Sequence, residues 1–268
     1  MALYSFQVYA DFSGGMDIVI GLSEIFGISL TENFRRPFFA TSVAEYWRRW
    51  HITLGAWMRT YVFYPLSLSP AFRKLGRKCR NIIGDRFGKL ISPSIALFIT
   101  FFLVGMWHGV GWKYVLYSLY VALFVSTKTL LETVYTKGRT ILKINETQKS
   151  WHFFQSLRTF FIMTIGWYMV IANDVPDLFN GLRAAFTHFN PWVFFDGSFY
   201  MLGLDRPNFL FMLFFITVLL AIDYLHEKGI RIRQSIGEQN IVFRWCIYYA
   251  AIIVLVIFGM YGQISMTN

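Results

Sequence analysis

The sequence predicts an all-α fold, a polytopic bundle of transmembrane helices, from its composition, its long apolar runs and the placement of its charges. Of its 268 residues, 56% are hydrophobic and 20% aromatic, whereas 15% are charged. Soluble domains contain about 25% charged residues, so this chain falls outside that class. Its apolar residues are gathered into runs that approach the roughly 20 residues needed to cross a bilayer. We therefore expect an integral membrane protein.

About six membrane-spanning helices are predicted. The first segment, Leu3–Leu30, is long enough but contains three acidic residues. We expect it to face protein, because carboxylates that face lipid are costly. A helical hairpin is expected further on, with its turn near Gly109 and Gly111. The predicted spans after the first are Ser94–Trp107, Tyr114–Leu131, Phe153–Ala172, Phe209–Tyr224 and Val242–Tyr261.

Positive residues lie in loops between the predicted helices, and they fix an orientation. The loops at residues 73–89, 137–149 and 228–244 are basic, whereas the loop from Asp174 to Pro207 is more acidic. The positive-inside rule places the three basic loops in the cytoplasm and the acidic loop outside. Membrane topology thus accounts for the net charge of +10, and nucleic acid is not expected as a partner.

The segment Thr31–Leu68 is too polar to cross the membrane and too aromatic for a simple loop. From Val43 onward, apolar residues recur at helical spacing with arginines between them, which predicts one amphipathic helix that ends at Pro65. Tryptophan and arginine on one helix are typical of an interfacial helix, and a re-entrant segment is the alternative. The apolar stripe consists of Trp47, Trp50, Leu54, Trp57, Met58 and Tyr61.

Two of the five histidines are candidate functional residues. His108 lies between glycines and tryptophans in an apolar hairpin, where an ionisable group is costly and is usually paired or functional. His51 lies on the tryptophan-rich face of the interfacial helix. The structural alternatives are a hydrogen bond from His108 to a neighbouring helix and a His51 ring that snorkels at the membrane boundary. No metal site is expected, because two histidines without a carboxylate or thiolate cluster are a weak ligand set.

Five stretches in the first 120 residues resemble the membrane-bound O-acyltransferase family, in particular its bacterial branch. Their order and spacing match the family together with their residues, which makes the resemblance specific. Residues 121–268 resemble the family mainly as a helical tail, so we expect a single membrane domain over 1–268. The stretches are Tyr4–Gly15 (YSFQVYADFSGG), Glu32–Phe38 (ENFRRPF), Glu45–Leu54 (EYWRRWHITL), Trp57–Arg59 with Tyr61, and Gly105–Gly109 (GMWHG).

The resemblance implies acyl transfer from a thioester to a hydroxyl group. It makes His108, in the tryptophan-histidine-glycine motif, the candidate catalytic base, with His51 as the accompanying catalytic residue near the reaction tunnel. A histidine suits this role because its pKa is close to neutral. The tetrahedral oxyanion needs hydrogen-bond donors, which Trp50, Trp107 or Arg59 would supply, and the sequence does not choose among them.

The resemblance implies no permanently bound cofactor. The donor substrate would be an acyl-coenzyme A, acetyl-coenzyme A above all, or an acyl carrier. The implied partners are membrane lipid, a cell-surface or exported polysaccharide as acceptor, and an extracytoplasmic acyl-hydrolase-like protein that completes the transfer. The implied location is the bacterial cytoplasmic membrane.

Two further expectations concern the extent and the class of the protein. Family members usually carry more spanning helices before the Tyr-Ser-Phe segment, so the chain looks N-terminally truncated. A non-catalytic membrane scaffold subunit, or an inactive fragment of such an enzyme, is the alternative function. A small transporter with a histidine proton relay is disfavoured, because no matching pair of broken helices is visible.

Overall fold

The computed structural model describes residues 1–188, 190–201 and 203–258. Within these ranges the regular structure is helical, and the β-structure is limited to one isolated bridge between Phe34 and Trp50. The all-α prediction is therefore confirmed. The chain divides into two compact units, Met1–Phe209 and Leu210–Asn268. The predicted end of the last span, Tyr261, lies outside the described residues.

The N-terminal part of the first unit consists of one long helix followed by short ones. Its elements are α1 (Ala2–Ile25), a 3₁₀ turn (Pro37–Phe39), α2 (Val43–Arg49), α3 (Ile52–Met58), a π-helix (Arg59–Phe63) and α4 (Tyr64–Leu68).

Longer helices follow. They are α5 (Pro70–Ile83), α6 (Asp85–Trp107), α7 (Trp112–Ile141), α8 (Lys149–Ile171) and α9 (Val175–Thr187), then two 3₁₀ turns (Pro191–Phe194 and Ser198–Met201), α10 (Arg206–Glu227), α11 (Ile232–Gly237) and α12 (Ile241–Phe258).

Among the described residues, three helices are long and apolar enough to cross a membrane by themselves: Phe87–Trp107 within α6, α10 and α12. A fourth span exists if α7 is taken as the segments Trp112–Thr127 and Leu131–Ile141, which meet at a bend of 63°. The predicted number of about six is therefore not confirmed. α1 and α8 have 24 and 23 residues, but polar and charged residues lower their hydropathy.

Within the described part of the chain, α1 leaves its acidic residues exposed, so the expectation that this segment faces protein is not confirmed. Asp11, Asp17 and Glu24 are all exposed, and the helix buries Ser5 and Tyr9 within the described part of the chain. The burial occurs near the start of α1, where the Ser5 and Thr164 hydroxyl groups lie 3.1 Å apart and join α1 to α8.

The predicted interfacial helix is broken in the middle. Trp50 is extended and His51 adopts left-handed backbone angles (φ 48°, ψ 55°), so α2 ends before this pair and α3 begins after it. The predicted stripe is therefore not continuous: Trp47 and Trp50 are buried, whereas Trp57 and Tyr61 are exposed.

The expectation that Pro65 ends the interfacial helix is also wrong. Pro65 lies at the start of α4, and the π-helix Arg59–Phe63 precedes it. A proline lacks the N–H that an α-helical turn would use, and a local change to π-helical geometry accommodates this missing donor. The helical path ends at Ser69, whose side chain caps α5.

The first predicted basic loop is largely the amphipathic helix α5. Its basic side chains are exposed, whereas Phe72, Leu75 and Cys79 are half-buried. Ser92 of α6 donates a hydrogen bond to the Phe72 carbonyl oxygen at 2.9 Å, and a Cβ on Gly76 would lie 3.5 Å from the Ser92 Cβ. Packing against α6 thus gives this charged segment a helical structure.

The hairpin turn predicted at the glycines is confirmed. α6 ends at Trp107 and α7 begins at Trp112, and Gly109 between them has φ of 158°. A Cβ on Gly109 would lie 2.5 Å from the ring of Tyr114, so this position has no room for a side chain. The two helices pack closely, because a Cβ on Gly105 would overlap with Ser118.

An aromatic cluster forms the centre of the first unit. Trp50 is stacked on Tyr46 at 5.5 Å between ring centroids and lies 5.0 Å from Trp167, whose indole N–H donates to the Tyr46 hydroxyl oxygen at 3.1 Å. Tyr9 and Phe34 complete the contacts of Trp50 from α1 and the following segment. This cluster, defined by these five residues, fixes α1, α2 and α8 around the Trp50–His51 break.

In the second unit, Phe258 of α12 contacts Phe211 and Phe215 of α10, with ring centroids 5.2 and 5.9 Å apart. The described part of α12 has no buried side chain. An apolar helix that is exposed on all sides fits contact with lipid.

Candidate active site

A short β-bridge brings two distant polar residues together. The Arg35 N–H donates to the Arg49 carbonyl oxygen at 2.9 Å, and the Ile52 N–H donates to the Asn33 carbonyl oxygen at 3.1 Å. The segment around Asn33 is thereby held alongside the break between α2 and α3. Asn33 and His51 become neighbours in space although 18 positions separate them.

The Asn33 side chain is surrounded by donors. Its amide oxygen accepts from the Thr53 backbone N–H at 3.1 Å and from the Thr53 hydroxyl at 2.6 Å, and it lies 3.2 Å from Nδ1 of His51. Asn33 is only 5% exposed. A buried amide needs such partners, because an unsatisfied polar group costs about 1–3 kcal/mol.

The backbone of His51 is strained. A residue other than glycine in the left-handed region costs on the order of 1–3 kcal/mol and persists only where its surroundings impose it. Here the β-bridge, the Thr53–Asn33 hydrogen bonds and an edge contact of the imidazole with Phe12 at 4.8 Å between ring centroids impose it. Strain of this kind concentrates at functional sites, and it gives the His51 ring a defined position.

Trp107 lies between the two candidate histidines. Its indole is 6.1 Å from the His51 ring and 5.4 Å from the His108 ring, measured between centroids. His108 follows Trp107 directly, past the end of the candidate span in α6. The structure therefore brings His51, Trp107 and His108, all predicted site residues, into one row.

His108 is enclosed by aromatic rings on its other side. Tyr117 and Trp167 lie 5.4 and 6.2 Å from its ring, both nearly perpendicular to it. In the described part of the chain, no hydrogen bond orients the His108 imidazole. The Tyr117 hydroxyl is likewise buried without a partner among these residues.

The electrostatic surroundings favour neutral imidazoles. Burial lowers the pKa of His51 below the ordinary value of 6.5. Burial, and secondly the positive charge of His51, lower the pKa of His108. A neutral imidazole is the form that can remove a proton, so both side chains are in the reactive state near pH 7.

A cavity of about 730 Å³ opens beside this row, between the α2–α3 region and the α6–α7 hairpin. Its size is within the range of about 300–1,000 Å³ typical of small-molecule sites. His51 lines it, whereas Trp107 and His108 are not among its lining residues, and most of the wall is apolar. Besides His51, the polar residues on the wall are Arg48, Arg59, Lys89, Thr100, Glu132 and Thr133. The apolar ones are Ala44, Trp47, Leu54, Gly55, Met58, Phe63, Leu90, Leu97, Phe101, Val104 and Val125.

The predicted oxyanion donors differ in their placement. Trp107 is 60% exposed and lies next to both histidines. Arg59 is exposed and lines the cavity. Trp50 is 2% exposed and belongs to the aromatic cluster, and it is not part of the cavity wall. The role of each as a donor stays a prediction.

An ion pair supports α2 beside the cavity. Arg49 binds Glu45 one turn earlier at 2.7 Å, and the Thr41 N–H and hydroxyl donate to the same carboxylate. Burial raises the pKa of Glu45, but the hydrogen bonds from Thr41 and the charge of Arg49 outweigh this effect and hold the pKa below its ordinary value. Ser42 caps the helix by accepting from the Glu45 N–H.

Sequence reasoning missed Asn33, Tyr117 and Trp167. Asn33 lies inside one of the stretches that carry the family resemblance, but its partner is 18 positions away across a bridge with no local signature. Tyr117 and Trp167 belong to apolar helices with many aromatic residues, and the sequence does not show which of them contact His108. Their contacts with His108 arise only from the packing of α7 and α8.

Comparison with known proteins identifies the relatives of this chain. Residues 1–79 match the model of the membrane-bound O-acyltransferase family. The matched region contains Asn33 and His51, and His108 lies after it. The resemblance predicted from the sequence motifs is thereby confirmed.

Bacterial relatives match a longer part of the chain. The probable alginate O-acetylase of Pseudomonas putida is 30% identical over 189 residues, which is 70% of this chain and 33% of that protein. The peptidoglycan O-acetyltransferase of Helicobacter pylori is 37% identical over 116 residues, 43% of this chain and 19% of that protein. The teichoic acid D-alanyltransferase of Bacillus subtilis is 31% identical over 129 residues, which is 48% of this chain and 30% of that protein. The chain thus spans about a third or less of these relatives' length.

Proposed function

We propose that this chain, whose first 79 residues match the membrane-bound O-acyltransferase family, carries the catalytic region of a membrane-bound O-acyltransferase. The observation that supports the proposal most strongly is the row of His51, Trp107 and His108 next to the cavity. Two imidazoles with lowered pKa values beside a largely apolar cavity suit base-assisted acyl transfer in a site of low polarity.

In the proposed reaction a hydroxyl oxygen of the acceptor attacks the carbonyl carbon of a thioester. His108 takes the hydroxyl proton as the new C–O bond forms, and His51 assists at the cavity wall. The tetrahedral oxyanion then collapses, the C–S bond breaks, and the thiolate leaves and is protonated. Arg59 lines the cavity and exposed Trp107 lies against both histidines, so these two are better placed oxyanion donors than the buried Trp50. A thiolate is a good leaving group, so no protein nucleophile is required.

The cavity suits a thioester donor. Its apolar wall would hold the acyl group and the adjoining chain. Arg48, Arg59 and Lys89 outnumber the Glu132 carboxylate on the wall and would attract phosphate groups. Acetyl-coenzyme A fits this combination of a small acyl group and phosphates, and an acyl carrier with a phosphopantetheine arm shares the same chemistry.

The acceptor is proposed to be a hydroxyl group of a cell-surface or exported polysaccharide. This assignment rests on the named activities of the relatives, which acylate alginate, peptidoglycan or teichoic acid. An extracytoplasmic acyl-hydrolase-like protein would complete the transfer. The protein would lie in the bacterial cytoplasmic membrane with its basic segments inside, and α1 and α8 would supply the fifth and sixth spans.

The test is His108→Ala in the gene that encodes this chain, with the O-acetyl content of the envelope polysaccharide measured at equal protein level. We expect a loss of about 10²–10⁴-fold in transfer rate, the contribution of a general base. His188→Ala is the matched control, because His188 is exposed in the same unit and bonds to its neighbour Thr187. Unchanged acetylation in the His108 variant would contradict the catalytic assignment and favour a scaffold subunit.

A further inference from the structure

The orientation of the Asn33 side chain is determined by its partners. The Thr53 backbone N–H can only donate, so the Asn33 atom that it faces at 3.1 Å must be the amide oxygen. The amide nitrogen then points toward the Met16 sulfur at 3.9 Å, a weak acceptor. A flipped amide would place its NH₂ group against the Thr53 N–H, two donors facing each other. The oxygen assignment is therefore the one that satisfies both ends of the side chain.

This orientation decides which nitrogen of His51 carries the proton. The Asn33 amide oxygen has no hydrogen to give, so at 3.2 Å the His51 Nδ1 must be the donor. A neutral imidazole carries one N–H, and the other nitrogen is then a lone-pair acceptor. With Nδ1 protonated, Nε2 of His51 is free to accept.

We propose that Asn33 is a positioning residue that holds neutral His51 in the Nδ1–H tautomer, with Nε2 as the acceptor at the cavity. The proposal rests on the proposed acyl-transfer function and specifies the role of His51 in it. Neutral His51 can accept a hydrogen bond from a bound substrate at Nε2, and it cannot donate to the oxyanion there. The oxyanion must then be stabilised by other donors, such as Trp107.

Three structural features make Asn33 suited to this role. It is 5% exposed, so water does not compete for its oxygen. The Asn33 amide oxygen that faces His51 Nδ1 also accepts a hydrogen bond from the Thr53 hydroxyl at 2.6 Å. The Ile52 N–H binds the backbone carbonyl of Asn33, so both the main chain and the side chain hold the loop that carries His51. His108 has no comparable partner among the described residues, which makes this arrangement specific to His51.

The direct test is the tautomer itself. The protein, expressed from its own gene with ¹⁵N-labelled histidine and placed in phosphatidylethanolamine–phosphatidylglycerol bilayers, is measured by solid-state NMR at a pH where imidazoles are neutral. The His51 signals are assigned by their loss in His51→Gln. We expect a protonated Nδ1 and an unprotonated Nε2. A protonated Nε2 in the parent protein would overturn the proposal, whether or not any variant folds.

Variants of Asn33 test whether this residue sets the His51 tautomer. Asn33→Ala should shift His51 toward the Nε2–H form, whereas Asn33→Asp retains an acceptor and should keep Nδ1–H. Thr53→Val, which removes one donor but leaves Asn33 and the Thr53 N–H in place, is the matched control and should keep the parent tautomer. An unchanged tautomer in Asn33→Ala would show that another group sets it and would refute the role of Asn33.

Kinetics separate this inference from the proposed function. With acetyl-coenzyme A as donor, Asn33→Ala should lower kcat by about 10²-fold with little change in KM, the loss typical of a misplaced catalytic group, because Nε2 of His51 would then carry the proton. Asn33→Asp should recover most of the loss, which a merely structural role of Asn33 would not predict. A parent protein with the expected tautomer but no acyl transfer would refute the proposed function and leave the tautomer assignment standing.

Discussion

Replacing Gly105 by alanine tests whether the α6–α7 packing positions His108. A Cβ at this position would lie 2.5 Å from the Ser118 Cα and 2.7 Å from its Cβ, both backbone-anchored atoms that cannot rotate away. Restoring an ordinary contact of 3.4 Å requires the two helices to separate by about 0.9 Å. Overpacking of this kind costs about 1–3 kcal/mol. A displacement of about 1 Å at a catalytic group costs on the order of 10²-fold in rate.

The assay measures two quantities on Gly105→Ala: the thermal midpoint of the protein in lipid bilayers and the rate of thiol release from acetyl-coenzyme A. We expect a lower midpoint and about 10²-fold slower release, because His108 follows Gly105 by less than one helical turn. Gly138→Ala is the control, since a Cβ on Gly138 of α7 meets nothing within 4 Å and alanine favours the helix. Parental stability and rate in Gly105→Ala would refute the proposed packing constraint.

Two further predictions follow from the site. Trp167→Phe removes the 3.1 Å hydrogen bond to the buried Tyr46 hydroxyl and should destabilise the protein by about 1–3 kcal/mol. The measurement is the thermal midpoint, which should fall. Trp192→Phe, at an exposed position, is the control and should leave the midpoint unchanged. The rate of acyl transfer should fall only below pH 6.5, because the lowered pKa values of His51 and His108 keep both imidazoles neutral above that pH. A rate that rises on acidification would contradict their role as acceptors.

The sequence was sufficient for the helical class and for the glycine turn between α6 and α7. Long apolar runs that cross a membrane form helices, because their backbone polar groups must be paired within the segment. Gly109 combines a positive φ with a close contact to Tyr114, and a residue with a side chain does not fit there. The family motifs also named His51, Trp107 and His108 as candidate site residues; the structure places Trp107 against both histidines, and their catalytic roles stay a prediction.

The sequence could not predict the break between α2 and α3. No glycine or proline marks Trp50 or His51, and helical spacing continues across them. The break is imposed by the β-bridge to the segment at Asn33, a contact between distant parts of the chain. For the same reason the Asn33–His51 hydrogen bond has no local signature. Pro65 does not end the helical path, because the π-helix before it accommodates the backbone N–H that proline lacks.

The predicted number of spans is not confirmed, because two of the predicted spans, α1 and α8, contain polar and charged residues. α1 and α8 are long enough to cross, but residues such as Asp17 and Arg158 keep their hydropathy below that of α10 and α12. The bend within α7 is a tertiary feature that apolar composition does not reveal.

The rate of coenzyme A release from acetyl-coenzyme A, with the protein in lipid bilayers and an O-acetylatable polysaccharide as acceptor, tests the central claim most directly. The account predicts at least about 10²-fold slower release for both His51→Ala and His108→Ala, the contribution of a general base, with His188→Ala matching the parent. Parental rates in both His51→Ala and His108→Ala would contradict the assignment of His108, and of His51 on the cavity wall, to an acyl-transfer site.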